Sequence, residues 1–94
     1  MALLFEWDPG KAKRNLEKHH VSFHEASTIF NDQFEITIDD PVHSRGERRY
    51  ISIGRSLNQR LLIVAYTERE DRIRIISAWV ATKEERRQYE ENRD

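Results

Sequence analysis

Two stretches decide the fold: Leu61-Leu62-Ile63-Val64-Ala65-Tyr66 and, eleven residues on, Arg72-Ile73-Arg74-Ile75-Ile76-Ser77-Ala78-Trp79-Val80. The first is short and almost continuously apolar, which predicts a central strand covered on both faces. The second predicts the last strand. The turn Glu68-Arg69-Glu70-Asp71 between them is too short for a crossover, so the two pair antiparallel. Towards the N-terminus, Arg49-Tyr50-Ile51-Ser52-Ile53 alternates and ends at Gly54, with Leu57-Asn58-Gln59-Arg60 as its turn. Before it, Phe34, Ile36 and Ile38 alternate with Glu35 and Thr37. These four strands form an antiparallel meander.

The flanks read as helices. Asp8 is placed to cap a first helix with Pro9 at its first position, running to His19-His20. Ala12, Leu16 and the stem of Lys13 face inward at helical spacing. Ser22 and Glu25 form a capping box with Val21 at the staple position, and Phe23, Ala26, Ile29 and Phe30 make the buried stripe of a second helix that Asn31-Asp32 stops. Thr82 and Glu85 form another box, opening a charged helix to about Glu91. Leu3 to Trp7 reads as a short strand or extended arm. The expected class is α+β: a four-stranded antiparallel meander, two N-terminal helices and one C-terminal helix, with the helices on one face of the sheet.

The 94 residues are 37% hydrophobic and 35% charged with no cysteine, which predicts one domain over 1–94. Disulfides and cysteine metal sites are excluded, and no apolar run approaches the ~20 residues of a membrane span. The opening Met1–Asp8 lacks a basic n-region, so no signal peptide is expected. The net charge is −1, but it is unevenly spread. Up to Ser44 there are 4 Lys+Arg against 8 Asp+Glu; from Arg45 onward there are 12 against 9. The basic half is almost all arginine, whose planar fork matches phosphate oxygens where lysine is a point charge.

On the last strand, Arg72 and Arg74 lie on one face with Ile76 and Ala78, about 7 Å apart. Ile73, Ile75 and Ser77 take the other face, and so by parity does Trp79, unless a bulge redirects it. Paired arginines either meet an anionic ligand, protect an edge strand by their charge, or pair with Glu68, Glu70 or Asp71. Arg49, Arg55 and Arg60 extend the phosphate-binding reading. Of the four histidines, His19, His20 and His24 lie near the helix junction without zinc spacing, and His43 lies in the polar Asp39–Glu47 loop as a candidate proton-transfer group. Asp39-Asp40 before Pro41 reads as a turn start more than a magnesium site. No metal and no cofactor is expected.

Phe5-Glu6-Trp7-Asp8-Pro9-Gly10-Lys11, Asn15, Lys18-His19 and Val21-Ser22-Phe23 resemble the BrnT family of toxins from bacterial type II toxin–antitoxin systems. So do Asp40, His43, Glu47-Arg48-Arg49, Ile53-Gly54-Arg55-Ser56, Arg60 to Val64, Tyr66 to Arg69, Arg72 to Ala78 and Thr82 to Glu90. The resemblance implies a RelE-like fold and a metal-independent cytoplasmic ribonuclease that arrests translation. It also implies a BrnA-like antitoxin, in a 2:2 complex, through which alone operator DNA is reached. The sequence departs from the family at His20, where glycine is usual, and at Trp79, where arginine is common.

RNA cleavage without metal needs a group to take the 2′-hydroxyl proton, charge stabilisation of the phosphorane, and a donor for the leaving 5′-oxygen. Arg72 and Arg74 are the expected charge stabilisers, Glu68 or His43 the proton acceptor, and His43 or Tyr66 the donor. Arg49, Arg55 and Arg60 position the RNA backbone, and Trp79 either stacks on a base or marks a lost charge. The rival reading is an inactive homologue that acts as an antitoxin-binding co-repressor module.

Overall fold

The computed structural model describes residues 3–93. Met1, Ala2 and Asp94, included in the expected 1–94 domain, lie outside them. The chain runs β1 (Leu4–Glu6), α1 (Pro9–His19), α2 (Phe23–Ser27) with a 3₁₀ turn Thr28–Asn31, β2 (Ile36–Asp39), a 3₁₀ turn Pro41–His43, β3 (Arg49–Arg55), β4 (Leu61–Arg69), β5 (Arg72–Val80) and α3 (Lys83–Arg93). The strands form one five-stranded sheet in the order β1-β5-β4-β3-β2. The meander β2-β3-β4-β5 is antiparallel as expected. The expected four-stranded antiparallel sheet is corrected by β1, which adds a fifth strand parallel to β5, with Glu6 opposite Arg74. A parallel partner needs a long crossover, and α1 to β4 supply it.

The central strand is buried from Leu61 through Thr67. Leu62, Val64 and Tyr66 pack with Val21, Phe23, Ala26 and Ile29 of the α1–α2 layer. Leu61 and Ile63 face the other way, onto Ile53 and Tyr89 of α3. The helices therefore cover both faces rather than one. The continuously apolar run of β4 follows from this, since both of its faces lose water. The strand also runs further than its apolar residues suggest: Glu68 and Arg69 belong to β4, and the turn is Glu70-Asp71 alone.

The parity of β5 changes midway. Tyr66 lies opposite Ile75, yet Ala65 lies opposite Ser77, so Ile76 is an extra, bulged residue. Ile73, Ile75 and Ala78 consequently share the α1–α2 face. Trp79 packs in the cluster under α3, on the face that carries Arg74, and not on the opposite one as strict alternation predicts.

The first helix also presents a different residue inward. Leu16 is half-exposed, whereas Asn15 is buried. The Asn15 amide donates to the carbonyls of Val21 and Ala78, both at 2.9 Å, and its oxygen accepts from Ala78 N–H at 3.1 Å. β1 pairs only with residues 72–74, so the outer edge of β5 continues unpaired past it. The Asn15 amide fills the role of a strand there, satisfying both backbone groups of Ala78.

Asp8 accepts from Lys11 N–H at 2.9 Å, the expected cap. The box of Thr82 and Glu85 is reciprocal. That of Ser22 is half-formed: Ser22 accepts from Glu25 N–H, but the Glu25 side chain turns to Arg60 and Ser56. His20 ends α1 at φ 59°, ψ 32°, the left-handed region where glycine is favoured, with its N–H bonded to Leu16 carbonyl. The imidazole is exposed, and among the described residues it makes no hydrogen bond, ion pair or ring contact. His20→Gly is expected to raise stability by about 1 kcal/mol, a Tm gain of about 4–8 °C by calorimetry. An unchanged or lowered Tm contradicts it.

Candidate active-site cleft

Arg49, Thr67 and Arg74 stand directly opposite one another on β3, β4 and β5. Cross-strand neighbours share a face, so the three form one row across the sheet. They floor a cleft of about 380 Å³ whose other walls are Lys11 of α1, Ile76 of the bulge, Arg69, and Val42, His43, Arg45 and Glu47 of the loop between β2 and β3. Five cations and one carboxylate line it. Thr67 Oγ1 is the buried side-chain polar atom that has no partner among the described residues, and it lies midway along the arginine row.

The loop is held over the cleft by specific contacts. Ser44 Oγ donates to Asp40 carbonyl and accepts from Arg49 N–H. Glu47 takes a two-pronged bond from Arg69, at 2.6 and 3.1 Å. That bond, with Arg74 and Arg49 nearby, holds the Glu47 carboxyl below its usual range against opposing desolvation. Gly46 between Arg45 and Glu47 has φ 73°, a turn open to glycine at no steric cost. His43 is exposed at the rim, and its Nδ1 lies 2.9 Å from Asp40 Oδ2. A carboxylate at Nδ1 favours the proton there and leaves the Nε2 lone pair free to accept one.

Of the residues picked out from sequence, the cleft gathers His43, Arg49 and Arg74. Arg72 shares their face but stands outside the lining. Both Arg72 and Arg74 reach Glu6 of β1, at 3.8 and 2.8 Å. Their anionic neighbour is thus Glu6, and not Glu68, Glu70 or Asp71. Glu68 lies opposite Ile73, whose side chain is in the α1–α2 core, so Glu68 projects on the far side of the sheet. Tyr66 is also there, stacked on Tyr50, edge-on to Phe30, and hydrogen-bonded by Ser52; burial pushes its hydroxyl pKa up.

Arg55 and Arg60 are engaged elsewhere. Arg60 grips Glu25 at 2.9 and 2.5 Å and donates to His20 carbonyl, tying α1 and α2 to the start of β4. The Arg60 hydrogen bond leads the effects that hold the Glu25 carboxyl below its usual range. Arg55 lies 5.9 Å over the Tyr89 ring and donates to Gln59 carbonyl. Asp32 beside it accepts from Tyr89, Phe34 N–H and Arg55 N–H; burial works against ionisation there, but these bonds outweigh it and lower the pKa. Trp79 lies outside the cleft. It lines an apolar groove with Ile36, Ile38, Ile51, Ile53 and Ile63 beside α3, and its ring is 6.3 Å from that of His19.

Sequence reasoning left out Lys11, Arg45, Glu47, Arg69 and Asp40 as site residues. Asp40, Arg45, Glu47 and Arg69 stand in a polar loop or at a strand end and Lys11 on the first turn of α1, positions that become one site only on folding. Among the described residues no three His, Asp or Glu side chains converge as metal ligands, and no helix is long and apolar enough to cross a membrane.

A family model described as the ribonuclease toxin BrnT of type II toxin–antitoxin systems matches residues 7–85. The chain is similar in fold to the crystal structure of the Brucella abortus ribonuclease toxin BrnT: the TM-score is 0.63 at 18% identity, over 87% of this chain and 100% of that one. No curated protein sequence matches it.

Proposed function

Because this chain belongs to the BrnT family of ribonuclease toxins of type II toxin–antitoxin systems, we propose that it cleaves RNA without a metal ion, with the arginine-rowed cleft as its active site. The observation that carries this reading is the joining of five cations with an Asp40-held His43 around one opening. In the proposed reaction His43 Nε2 takes the 2′-hydroxyl proton. The 2′-oxygen attacks phosphorus, the bond to the 5′-oxygen breaks, and a 2′,3′-cyclic phosphate results. Arg49 and Arg74 meet the extra charge of the phosphorane. Lys11 hands a proton to the leaving oxygen, since arginine holds its proton too tightly to give it up. Arg69 and Glu47 hold the loop. Arg72 adds field from outside the cleft, and Arg55, Arg60 and Glu68 are assigned no contact with the scissile phosphate.

A toxin of this type has an antitoxin partner. We take that partner to be BrnA-like, assembled two with two, in the cytoplasm, with operator DNA reached only through it. The half-exposed Ile38 on edge strand β2, beside the apolar groove, supports a protein partner. The RelE-like comparison extends the same reading, as does a single toxin domain over the whole chain. The co-repressor reading rests on the near-zero net charge and on Trp79 standing where the family commonly has arginine. Trp79 lies outside the cleft, so the change leaves the cleft's cations in place.

The test is induction of the protein without its antitoxin, with growth and bulk translation followed, and incubation of the purified protein with RNA in excess chelator. Arrest of both, and chelator-resistant products ending in cyclic phosphate, are expected. Growth and RNA left intact would favour the co-repressor module.

A further inference from the structure

The cleft does not end at Lys11. A second groove, of about 380 Å³, continues from it along the seam between α1 and β5, lined by Lys11, Arg14, Lys18, His19, Ile76 and Ser77. Lys11 and Ile76 belong to both openings. Positions 11, 14 and 18 recur at helical spacing, so three cations stand on one face of α1. At the groove's far end stands His19, whose ring lies 6.3 Å from that of Trp79 just beyond the lining. From Lys11 to Lys18 the helix rises on the order of 10 Å, room for two successive phosphates.

Five arginines are neutralised: Arg48 with Asp39, Arg60 with Glu25, Arg69 with Glu47, Arg74 with Glu6, and Arg87 with Glu84. Among the described residues Arg45 and Arg49 of the cleft have no such partner, and the α1 cations continue that unpaired charge along the seam. Among the described residues Lys11, Arg14 and Lys18 have no ion-pair partner, although the chain as a whole is net negative. An unpaired basic line that leads out of a phosphate-sized cleft and ends on a half-buried aromatic pair has the pattern of single-strand binding: charge follows the backbone and a ring receives a base.

We propose that the α1–β5 seam is an RNA-binding track, in which Arg14 and Lys18 hold phosphates flanking the scissile one and Trp79, beside His19, stacks on a base. This rests on the cleft as the site of cleavage and extends it from one phosphate to a strand several nucleotides long. Asn15 gives the track its shape, because its bonds to Ala78 and Ser77 fix the spacing of α1 from β5.

The experiment compares the protein with an Arg14→Ala/Lys18→Ala variant. Both side chains are exposed, so the variant should melt with the original. Binding is read by fluorescence anisotropy against salt, using a labelled single strand of about twelve nucleotides with 2′-O-methyl groups, which cannot be cleaved. Cleavage is read separately on an unmodified dinucleotide, too short to reach the track. Expected are about tenfold weaker binding of the long strand and a salt slope reduced by about 1.4, for two single-strand phosphate contacts. Dinucleotide cleavage should be unchanged. Unaltered affinity and slope would overturn the track, whether or not the dinucleotide is cut. An equal loss on the dinucleotide would overturn it too, by placing both residues' effect at the cleft. Loss of antitoxin binding with RNA affinity intact would assign the seam to the antitoxin instead. Should the original protein cut no RNA yet show the slope change, the track stands and the cleft reading fails.

Discussion

Asn15→Ala is expected to lower the unfolding free energy by about 3–4 kcal/mol, a large fraction of what a domain of this size has to lose. The substitution costs little in helix propensity, since alanine is the better helix former. Its effect comes from what it leaves behind. Ala78 N–H, Ala78 carbonyl and Val21 carbonyl each lose a partner inside a region where Asn15 itself is 7% exposed. A buried backbone group without a partner costs roughly 1–3 kcal/mol. Asn15→Asp keeps the size and the acceptor but loses the donor, and sets a carboxylate against two carbonyl oxygens. It should be no better at neutral pH; burial against the carbonyls raises the carboxyl's pKa, so part of the loss should be recovered as pH falls, fully so below the unfolded value of about 3.9, where the protonated carboxyl donates. Urea unfolding with unchanged m-value reads both variants. A loss below about 1 kcal/mol for Asn15→Ala would mean that water enters and replaces the amide.

Asn15 also shows where sequence reading reaches its limit. The two capped starts, the four meander strands and the closing helix were legible, because apolar periodicity and capping chemistry are local signals. The inward face of α1 was not. Periodicity selects Leu16, the apolar residue, while the fold needs a side-chain amide to end the open edge of β5. Nothing local announces that need. The bulge is a partial case. Ile75-Ile76 breaks strict alternation, and the step from Ile75 to Ala78 is three residues where two would keep parity. That irregularity in an otherwise regular strand was the available sign that Trp79 returns to the face of Arg74. The parallel pairing of β1, which makes Glu6 the neighbour of both Arg72 and Arg74, depends on contacts sixty-eight residues apart in the closer pair.

The site was legible in its chemistry and less so in its membership. An arginine-rich half and a loop histidine pointed to phosphate and proton transfer, and His43, Arg49 and Arg74 do line one cleft. Arg55 and Arg60 have the same side chain and similar positions at strand ends. What separates them is where their side chains are drawn: Arg60 to Glu25 and the His20 carbonyl, and Arg55 to the Gln59 carbonyl and over the Tyr89 ring, away from the row of Arg49, Thr67 and Arg74. The partner of a charged group is a tertiary fact, which composition cannot carry.

Arg74→Ala is therefore expected to reduce RNA cleavage about 10²–10³-fold, whereas Arg72→Ala, two residues away on the same face, should change it far less. The difference follows from position. Arg74 lies in the floor row with Thr67 and Arg49, while Arg72 stands outside the lining at the hairpin end. The fold should survive either change. Both side chains are partly open to solvent, and Glu6, left with one cation, is itself partly exposed, so the ion pairs contribute little to stability. His43→Ala should cost a comparable 10²–10⁴-fold by removing the proton acceptor. Arg74→Ala and His43→Ala together should lose less than the product of the two, because charge stabilisation and proton transfer act on one transition state. Glu68→Gln serves as the control, since Glu68 lies across the sheet from the cleft. Initial rates on a defined RNA, with circular dichroism to confirm folding, decide the matter. A large loss for Glu68→Gln with full activity in Arg74→Ala would move catalysis to the α1–α2 side of the sheet, where Tyr66 and Glu68 lie. Equal losses for Arg72→Ala and Arg74→Ala would mean that the phosphate sits at the hairpin end near Glu6 and not over Thr67.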